Sequence, residues 1–300
     1  MTASAPGVYT HSGKLGFGLV VVPIGALVSS LGLSIVYAYI DVYAPIVAHI
    51  TLFLIVVFAF PCAVGWSVSI LGYVARCRSS GFLHLVGLFA GLLALYGSWA
   101  TFEYALLSSD GEALDVSLLT VFLSPGAVWE VAKAINQEGW YSIAEMTPKG
   151  AVLWVVWTIE AVVIVGLSTL LAGIAIDRKV FCEECTRWCT ITTDALLLGA
   201  PEDTSQLADL RLDNLDALVS LDTVPESHSP QIRLDTWQCT KCNNTGAVQA
   251  KLWVVTTDQE GERQYQSETL PNIWSLTPAA MAQLHALAAR SPIGDSEEVP

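Results

Sequence analysis

The sequence predicts a membrane all-α four-helix bundle followed by a small α+β domain. A membrane helix needs about 20 mostly apolar residues, and four stretches satisfy this requirement. They cover residues 15–40, 44–74, 82–106 and 151–176. Charge follows the same division, because residues 1–176 hold nine acidic and five basic side chains, whereas the last 124 residues hold 19 acidic and nine basic ones. The charged part also contains most of the strand-forming patterns.

Composition narrows the class of protein. Of the 300 residues, 53% are hydrophobic and only 14% are charged, against about 25% in a soluble globular chain. The net charge is -14, and no basic cluster is present to bind a phosphate backbone. These numbers exclude an ordinary soluble enzyme and a nucleic-acid-binding module. They leave an integral membrane protein, in contact with the lipid bilayer, that carries an acidic soluble part.

The first apolar stretch follows Lys14, and a signal peptide is the alternative interpretation of it. Its apolar run exceeds the 7–15 residues of a signal-peptide hydrophobic region, so we interpret it as a retained span. The second stretch contains Pro61, which predicts a kink.

Basic residues near the span ends predict the orientation of the chain. Lys and Arg are preferentially retained on the cytoplasmic side. They occur here before span one, between spans two and three, and after span four, as Lys14, Arg76, Arg78, Arg178, Lys179 and Arg187. We therefore expect a bacterial inner-membrane protein with both termini cytoplasmic and residues 107–150 outside.

The outer connection contains a predicted amphipathic helix near residues 125–137. Ser124 and Pro125 form a typical helix start, and apolar residues then recur at helical spacing. Trp129, Trp140 and Tyr141 suit a position at the membrane surface. We favour a helix that caps the bundle, with a ligand-binding lid as the alternative.

Small residues mark close helix contacts within the spans. Gly87 and Gly91 form a GxxxG pair in span three, and Gly25 with Ser29 forms a similar pair in span one. Such pairs let two helix backbones approach each other closely. Packing within the chain is the favoured interpretation, and the seam of a homo-oligomer is the alternative.

Three ionisable residues lie within the predicted spans, His49, Glu103 and Glu160. Charges in a membrane are costly and often functional. One hypothesis is a shared pocket in the outer half of the membrane that binds a proton or a small cation. The other is that His49 and Glu103 reach the membrane interface and that Glu160 bonds to a neighbouring helix.

Four cysteines form two CxxC pairs, Cys182 with Cys185 and Cys239 with Cys242. Disulfides are disfavoured on the cytoplasmic side, so the pairs indicate metal ligands. Two CxxC turns can complete a tetrahedral shell of four sulfur atoms, which suits structural zinc.

Other ligand sets and other chemistries remain open. Cys189 is a candidate substitute for one of the four ligands, and His228 is a candidate additional ligand. The spacing Cys182, Cys185, Cys189 partly matches iron–sulfur runs but lacks the fourth ligand and the proline of a ferredoxin. A redox CxxC would need a βαβ context that the sequence does not show.

The residue after each pair bears on the turn geometry. Asn243 tolerates the positive φ that a tight turn can require, whereas Thr186 is less suited to it.

The predicted C-terminal domain covers residues 177–290. It contains a helical insertion near residues 193–224, and its acidic surface at residues 202–226 suits a basic protein partner. Strands are predicted over 234–238, 247–257 and 264–270, and a final helix begins at Thr277-Pro278. Residues 291–300 are predicted to be a disordered tail.

The segments FCEEC at 181–185 and WQCTKC at 237–242 carry a resemblance to zinc-ribbon proteins. More specifically, the chain resembles bacterial membrane proteins of unassigned function that place such a module after their last span. The resemblance covers residues 180–270 at most and implies a zinc-ribbon-like cytoplasmic domain. It also implies a structural metal and a contact surface rather than catalysis.

Catalytic signatures such as HExxH, GxSxG and Walker-type loops are absent from the sequence. We therefore predict a non-enzymatic adaptor or scaffold that binds a protein partner through its cytoplasmic domain. The alternative is a small oligomeric transporter, channel or membrane sensor that uses Glu160, Glu103 and His49.

Overall fold

A computed structural model describes most of the chain. The described residues are 7–43, 50–109, 116–139, 147–200, 221–225, 228–257, 263–270 and 272–289. They form two compact units. The helical unit consists of the described residues from 12 to 178, and the strand-rich unit consists of residues 7–11 together with those after 178. The sequence had placed residues 1–176 in one domain, so the assignment of residues 7–11 differs.

The helical unit is built from long apolar helices joined by shorter ones. The helices are α1 (Gly18–Tyr43), α2 (Ile50–Val74), α3 (Ser80–Ser109), α4 (Leu118–Phe122), α5 (Pro125–Glu138), α6 (Ala151–Leu171) and α7 (Ile174–Asp177). Four stretches are long and apolar enough to cross a membrane, namely Gly18–Tyr43, Leu54–Val74, Ser80–Ser108 and Ala151–Asp177. Four candidate membrane spans followed by a small strand-rich region are thus confirmed.

Glycines on α2 and α3 allow close packing against α6. A Cβ atom on Gly87 would lie 2.8 Å from the carbonyl oxygen of Ser168, and one on Gly91 would lie 3.0 Å from the Cα atom of Val165. A Cβ atom on Gly65 of α2 would lie 2.8 Å from the same Ser168 carbonyl. Small residues are what permit two membrane helices to approach this closely. The GxxxG pair therefore packs against α6 of its own chain.

Replacing Gly87 with leucine should destabilise the helical unit. The added side chain meets the α6 backbone, which cannot move as a flexible side chain could, and overpacking of this kind typically costs about 1–3 kcal/mol. We expect the thermal midpoint of the detergent-solubilised protein to fall. Gly81→Leu is the matched control on the same helix, because a Cβ atom there meets nothing within 4 Å. Equal midpoints for the two variants would contradict the packing role of Gly87.

Helices α1 and α2 also meet through small residues. A Cβ atom on Gly25 would lie 2.6 Å from the Leu71 side chain, and the hydroxyl groups of Ser29 and Ser67 are 2.9 Å apart. Helix α2 continues through Pro61, whose carbonyl accepts a hydrogen bond from the Ser168 hydroxyl at 3.3 Å.

The amphipathic helix predicted near residues 125–137 is present as α5, with Pro125 in its first turn. Ser124 occupies the predicted N-cap position, but its hydroxyl makes no capping hydrogen bond and donates to the Thr120 carbonyl at 2.8 Å instead. That carbonyl belongs to α4, which the sequence did not predict. Helix α4 is capped by the Ser117 hydroxyl, which accepts from the backbone N–H of Thr120. Trp140 and Tyr141 lie outside the described residues.

The described part of the strand-rich unit consists of antiparallel strands and one helix. Its elements are β1 (Gly7–Val8), β2 (Phe181–Cys182), β3 (Arg187–Trp188), β4 (Thr190–Gly199), β5 (Gln231–Gln238), β6 (Gly246–Thr257), β7 (Arg263–Thr269), β8 (Trp274–Leu276) and α8 (Pro278–Ala288). The described strand order is β1-β8-β6-β5-β4, with β7 pairing to β6, and β2 pairs with β3 separately. The predicted strands correspond to β5, β6 and β7.

The predicted helical insertion near residues 193–224 is wrong for residues 193–199, which belong to strand β4. The β-branched run from Thr190 to Thr193 favours an extended chain. The following leucines, Leu196 to Leu198, are all buried, as in a strand covered on both faces. Residues 201–220, with most of the acidic surface predicted at 202–226, lie outside the described residues. So does the tail predicted at 291–300.

Helix α8 covers one face of the sheet and was predicted correctly. The Thr277 hydroxyl accepts a hydrogen bond from the backbone N–H of Ala280 at 3.2 Å and caps the helix. Met281 and Leu284 are buried in the same core as Leu234 and Val248. This core holds the β5 and β6 strands that lead into and out of the second cysteine pair.

Candidate metal centre

The four cysteines of the two CxxC pairs lie together in the strand-rich unit. All four sulfur atoms lie within 4.8 Å of one another. One pair lies at the β2–β3 turn and the other at the β5–β6 turn. The Cys182 and Cys242 sulfur atoms are 3.6 Å apart, close to the roughly 3.8 Å edge of a tetrahedron with metal–sulfur bonds of about 2.3 Å. Four thiols at this spacing fit a tetrahedral metal ion.

Neighbouring donors support negative charge on the sulfur atoms. The Thr245 hydroxyl donates to Cys182 Sγ at 3.2 Å, and the backbone N–H of Asn244 donates to Cys242 Sγ at 3.4 Å. Such second-shell hydrogen bonds orient metal ligands and tune the metal. Both donors come from the β5–β6 turn, so the second CxxC segment also supports a ligand of the first.

The residue after each cysteine pair has left-handed backbone geometry. The φ angle is 51° at Thr186 and 56° at Asn243. The Asn243 N–H closes its turn by donating to the Cys239 carbonyl at 2.9 Å. Asparagine visits this region readily, whereas a β-branched residue there is strained. The two turns thus share one backbone geometry, although the sequence suggested it only for the second.

Exchanging these residue types should change stability in opposite directions. Thr186→Asn relieves strain and should stabilise the strand-rich unit by about 1 kcal/mol, whereas Asn243→Thr should destabilise it by a similar amount. Chelator resistance of the full-length protein in detergent would report both changes. If both variants move in the same direction, turn strain is not the cause.

Burial affects the thiols of the cluster unequally. Burial raises the pKa of Cys182. At Cys185, burial and the neighbouring thiols of Cys242 and Cys239 act in the same direction and raise the pKa to about 12. Burial also acts on Cys239, but hydrogen bonds from the backbone N–H groups of Cys242 and Lys241 outweigh it and lower the pKa of Cys239 to about 7. Metal ligation requires thiolates, so binding would release protons.

Cys189 is buried in the core beside the cluster, with Val180, Trp237 and Ala247. Burial and the neighbouring thiols raise its pKa to about 12. Within the described ranges, the group with metal-ligand spacing contains only the four paired cysteines. The structure therefore brings neither Cys189 nor His228 into this group, and Cys189 serves as an apolar core residue.

Sequence reasoning missed Tyr9, which packs against the core around the cysteines. Strand β1 pairs with β8, and the backbone N–H of Tyr9 donates to the Ile273 carbonyl at 2.7 Å. The Tyr9 hydroxyl accepts a hydrogen bond from the N–H of Phe181 at 2.9 Å, next to Cys182. The sole local signal was a short run of strand-formers, Val8 to Thr10. A two-residue strand is too short to be recognised by periodicity.

The intramembrane candidates occupy different environments. Tyr37 donates to Glu160 Oε1 at 2.7 Å, and Asp41 on α1 lies within electrostatic range of the Glu160 carboxyl group. Glu103 is only 7% exposed, and its Oε2 atom has no hydrogen-bond partner among the described residues. His49 lies outside the part of the chain that the structure describes. The structure thus gives Glu160 a local partner and adds Asp41, which sequence reasoning did not consider.

Comparison of the chain with protein-family models, with curated proteins and with solved structures finds no match. The chemistry of the cysteine group must therefore be inferred from its own geometry. Four sulfur ligands close a tetrahedral shell and leave no coordination position for a substrate, as in structural rather than catalytic zinc sites.

Proposed function

We propose that this chain is a non-enzymatic membrane adaptor whose strand-rich unit is a zinc-ribbon-like domain with one structural zinc ion. The observation that carries the proposal is the closed group of Cys182, Cys185, Cys239 and Cys242. A small unit gains most of its folding free energy from such a metal, and it then offers a rigid surface rather than a reactive site. The resemblance of FCEEC and WQCTKC to zinc-ribbon segments supports the same conclusion.

The proposed orientation places this unit in the cytoplasm of a bacterium, with residues 107–150 outside. The pairing of β1 with β8 supports it, because this pairing puts the segments before and after the candidate spans in one folded unit. An even number of spans, here four, leaves both of these segments on the same side of the membrane. The basic residues give further support. The backbone N–H of Arg78 donates to the Lys14 carbonyl at 2.9 Å, so two of the basic residues are neighbours at one end of the helices.

The partner of the adaptor is a basic protein that recognises the acidic residues at 202–226. Affinity purification in mild detergent tests this, with the intact protein compared with a variant in which the acidic residues Glu202, Asp203, Asp209, Asp213 and Asp216 become Asn or Gln. A partner that is retained by the intact protein and lost by the neutralised variant supports the proposal. Replacement of the exposed Glu130, which lies outside residues 202–226, with Gln is the control. Equal recovery from both proteins counts against the acidic surface.

A second candidate function is transport or sensing by the intramembrane carboxyl groups. The buried Glu103 favours it, because its Oε2 atom has no hydrogen-bond partner among the described residues. Four spans are few for a transporter monomer, so this function requires a homo-oligomer. Proton flux into liposomes should fall in Glu103→Gln and Glu160→Gln if it is correct. Flux that is absent in the intact protein, or unchanged in both variants, rejects it.

A further inference from the structure

The helical unit contains a large apolar cavity between α3, α5 and α6. Its volume is about 850 Å³, within the roughly 300–1,000 Å³ range of small-molecule sites. Four tryptophans contribute to the lining, namely Trp99, Trp129, Trp154 and Trp157. The paired cysteines and the intramembrane carboxyl groups are not part of this lining, so the proposed adaptor function leaves the cavity unexplained.

The tryptophan rings hold one another in place. Trp157 meets Trp99 at 4.9 Å and 88°, and it meets Trp154 at 5.2 Å and 85°. Trp129 on α5 packs on Trp154 at 5.2 Å. Edge-to-face contacts of this kind are favourable beyond simple burial. The walls of the cavity are therefore preorganised rather than free to collapse inward.

The chemistry of the lining selects an apolar occupant. Its two hydroxyl groups are already used, because Tyr96 donates to the Phe122 carbonyl at 2.6 Å and Thr158 donates to the Trp154 carbonyl at 2.8 Å. The described lining contains no Asp, Glu, Lys, Arg or His side chain. A charged ligand would find no side chain of opposite charge in the described lining, and water is disfavoured in apolar cavities.

The length of the cavity matches one membrane leaflet. On α6 the lining extends from Trp154 to Gly166, which is about 18 Å at 1.5 Å per residue. One leaflet contributes about half of a ~30 Å hydrocarbon layer. Trp154 lies near the first residue of α6, where indole rings favour the headgroup layer, and Gly166 lies deeper.

We propose that this cavity binds one acyl chain of a bilayer lipid, which runs along α6 from Trp154 towards Gly166. Acyl chains are the apolar groups that surround membrane helices at the highest concentration. Exposed lining residues such as Leu92 and Val162, at 47% and 66%, leave the cavity open to them. The site is independent of the metal centre.

Gly166 provides a direct means of closing the deep end. A Cβ atom at this position meets nothing within 4 Å, so Gly166→Leu adds a side chain to the cavity without a clash. Gly32→Leu is the matched control, because Gly32 also lies in a membrane helix and its Cβ position is equally open. Ala161→Leu fills the cavity at a second point, in case Gly166→Leu fails to fold.

The experiment uses full-length protein in nanodiscs made with a phosphatidylcholine that carries a diazirine on one acyl chain. After illumination and digestion, mass spectrometry locates the lipid adducts. We expect adducts on the α3 and α6 lining at least fivefold above those on exposed α1 residues such as Leu19 and Ile24. This excess should be lost in Gly166→Leu or Ala161→Leu and retained in Gly32→Leu.

Adducts spread evenly over the lipid-facing helices would overturn the proposal, since they would indicate ordinary bilayer contact. An unchanged excess in a folded cavity-filling variant would also overturn it. A dimer in which α6 of a second copy covers the cavity, detected by cross-linking between copies, would identify an interface in place of a lipid site.

Discussion

Cys239→Ser is expected to release the proposed zinc ion from the strand-rich unit and to unfold it. Cys239 is fully buried, and its sulfur atom belongs to the four-cysteine group. Structural zinc contributes about 10–16 kcal/mol to the folding of small metal domains, which is comparable to or larger than the total stability of most domains. With the proposed zinc in place, loss of one of the four ligands removes a stabilisation as large as that of many whole domains. Metal analysis should fall from about one zinc per chain to near zero.

Two other cysteine variants make this result specific. Cys62→Ser changes a thiol in the helical unit, and Cys189→Ser changes the buried thiol that lies beside the four-cysteine group. Both proteins should keep one zinc per chain, although Cys189→Ser should lose about 1–3 kcal/mol of stability because it buries a hydroxyl group in an apolar site. Protease digestion of the full-length proteins would show the unfolding.

Three outcomes would contradict the assignment. Retention of a full equivalent of metal in Cys239→Ser would exclude this residue as a ligand. Stoichiometric iron in the intact protein, with visible absorption, would show that the metal is iron and not zinc. Loss of the metal in Cys189→Ser would restore Cys189 to the ligand set.

The sequence predicted those features that depend on strong, local patterns. Four apolar runs longer than a bilayer crossing predicted the membrane helices, and the two CxxC pairs predicted the sulfur group. Thr277-Pro278 predicted the start of α8, because a hydroxyl cap followed by proline satisfies the free N–H groups at a helix start.

The features that the sequence did not predict depend on tertiary contacts. The leucines of β4 have a spacing that a helix also allows, and they became a strand because β5 pairs along the edge of β4 and α8 packs on the same core as Leu196 and Leu198. Thr186 adopts positive φ because the sulfur group requires the turn, which overrides the preference of a β-branched residue. Tyr9 contacts Phe181, 172 positions away in the chain, and no local pattern encodes such a pair.

Tyr9→Ala is expected to destabilise the strand-rich unit although it lies far in sequence from the cysteines. The change removes the aromatic ring from the core around Cys182 and Cys239, together with the hydroxyl that accepts a hydrogen bond from the N–H of Phe181. Replacing a large buried ring with alanine costs about 3–5 kcal/mol. Tyr9 is only partly buried, so we expect a loss of about 2–3 kcal/mol. Faster metal release to a chelator from the full-length protein would measure it.

Two neighbouring variants separate the contributions to this effect. Tyr9→Phe keeps the ring and removes only the hydroxyl acceptor, so it should cost about 1 kcal/mol. Thr10→Ala changes an exposed side chain next to Tyr9 and should cost almost nothing. The same reasoning predicts that an isolated segment of residues 179–300 holds its metal less tightly than the full chain, because it lacks β1 and Tyr9. Equal chelator resistance of the segment and the full chain would show that the N-terminal residues do not stabilise the metal centre.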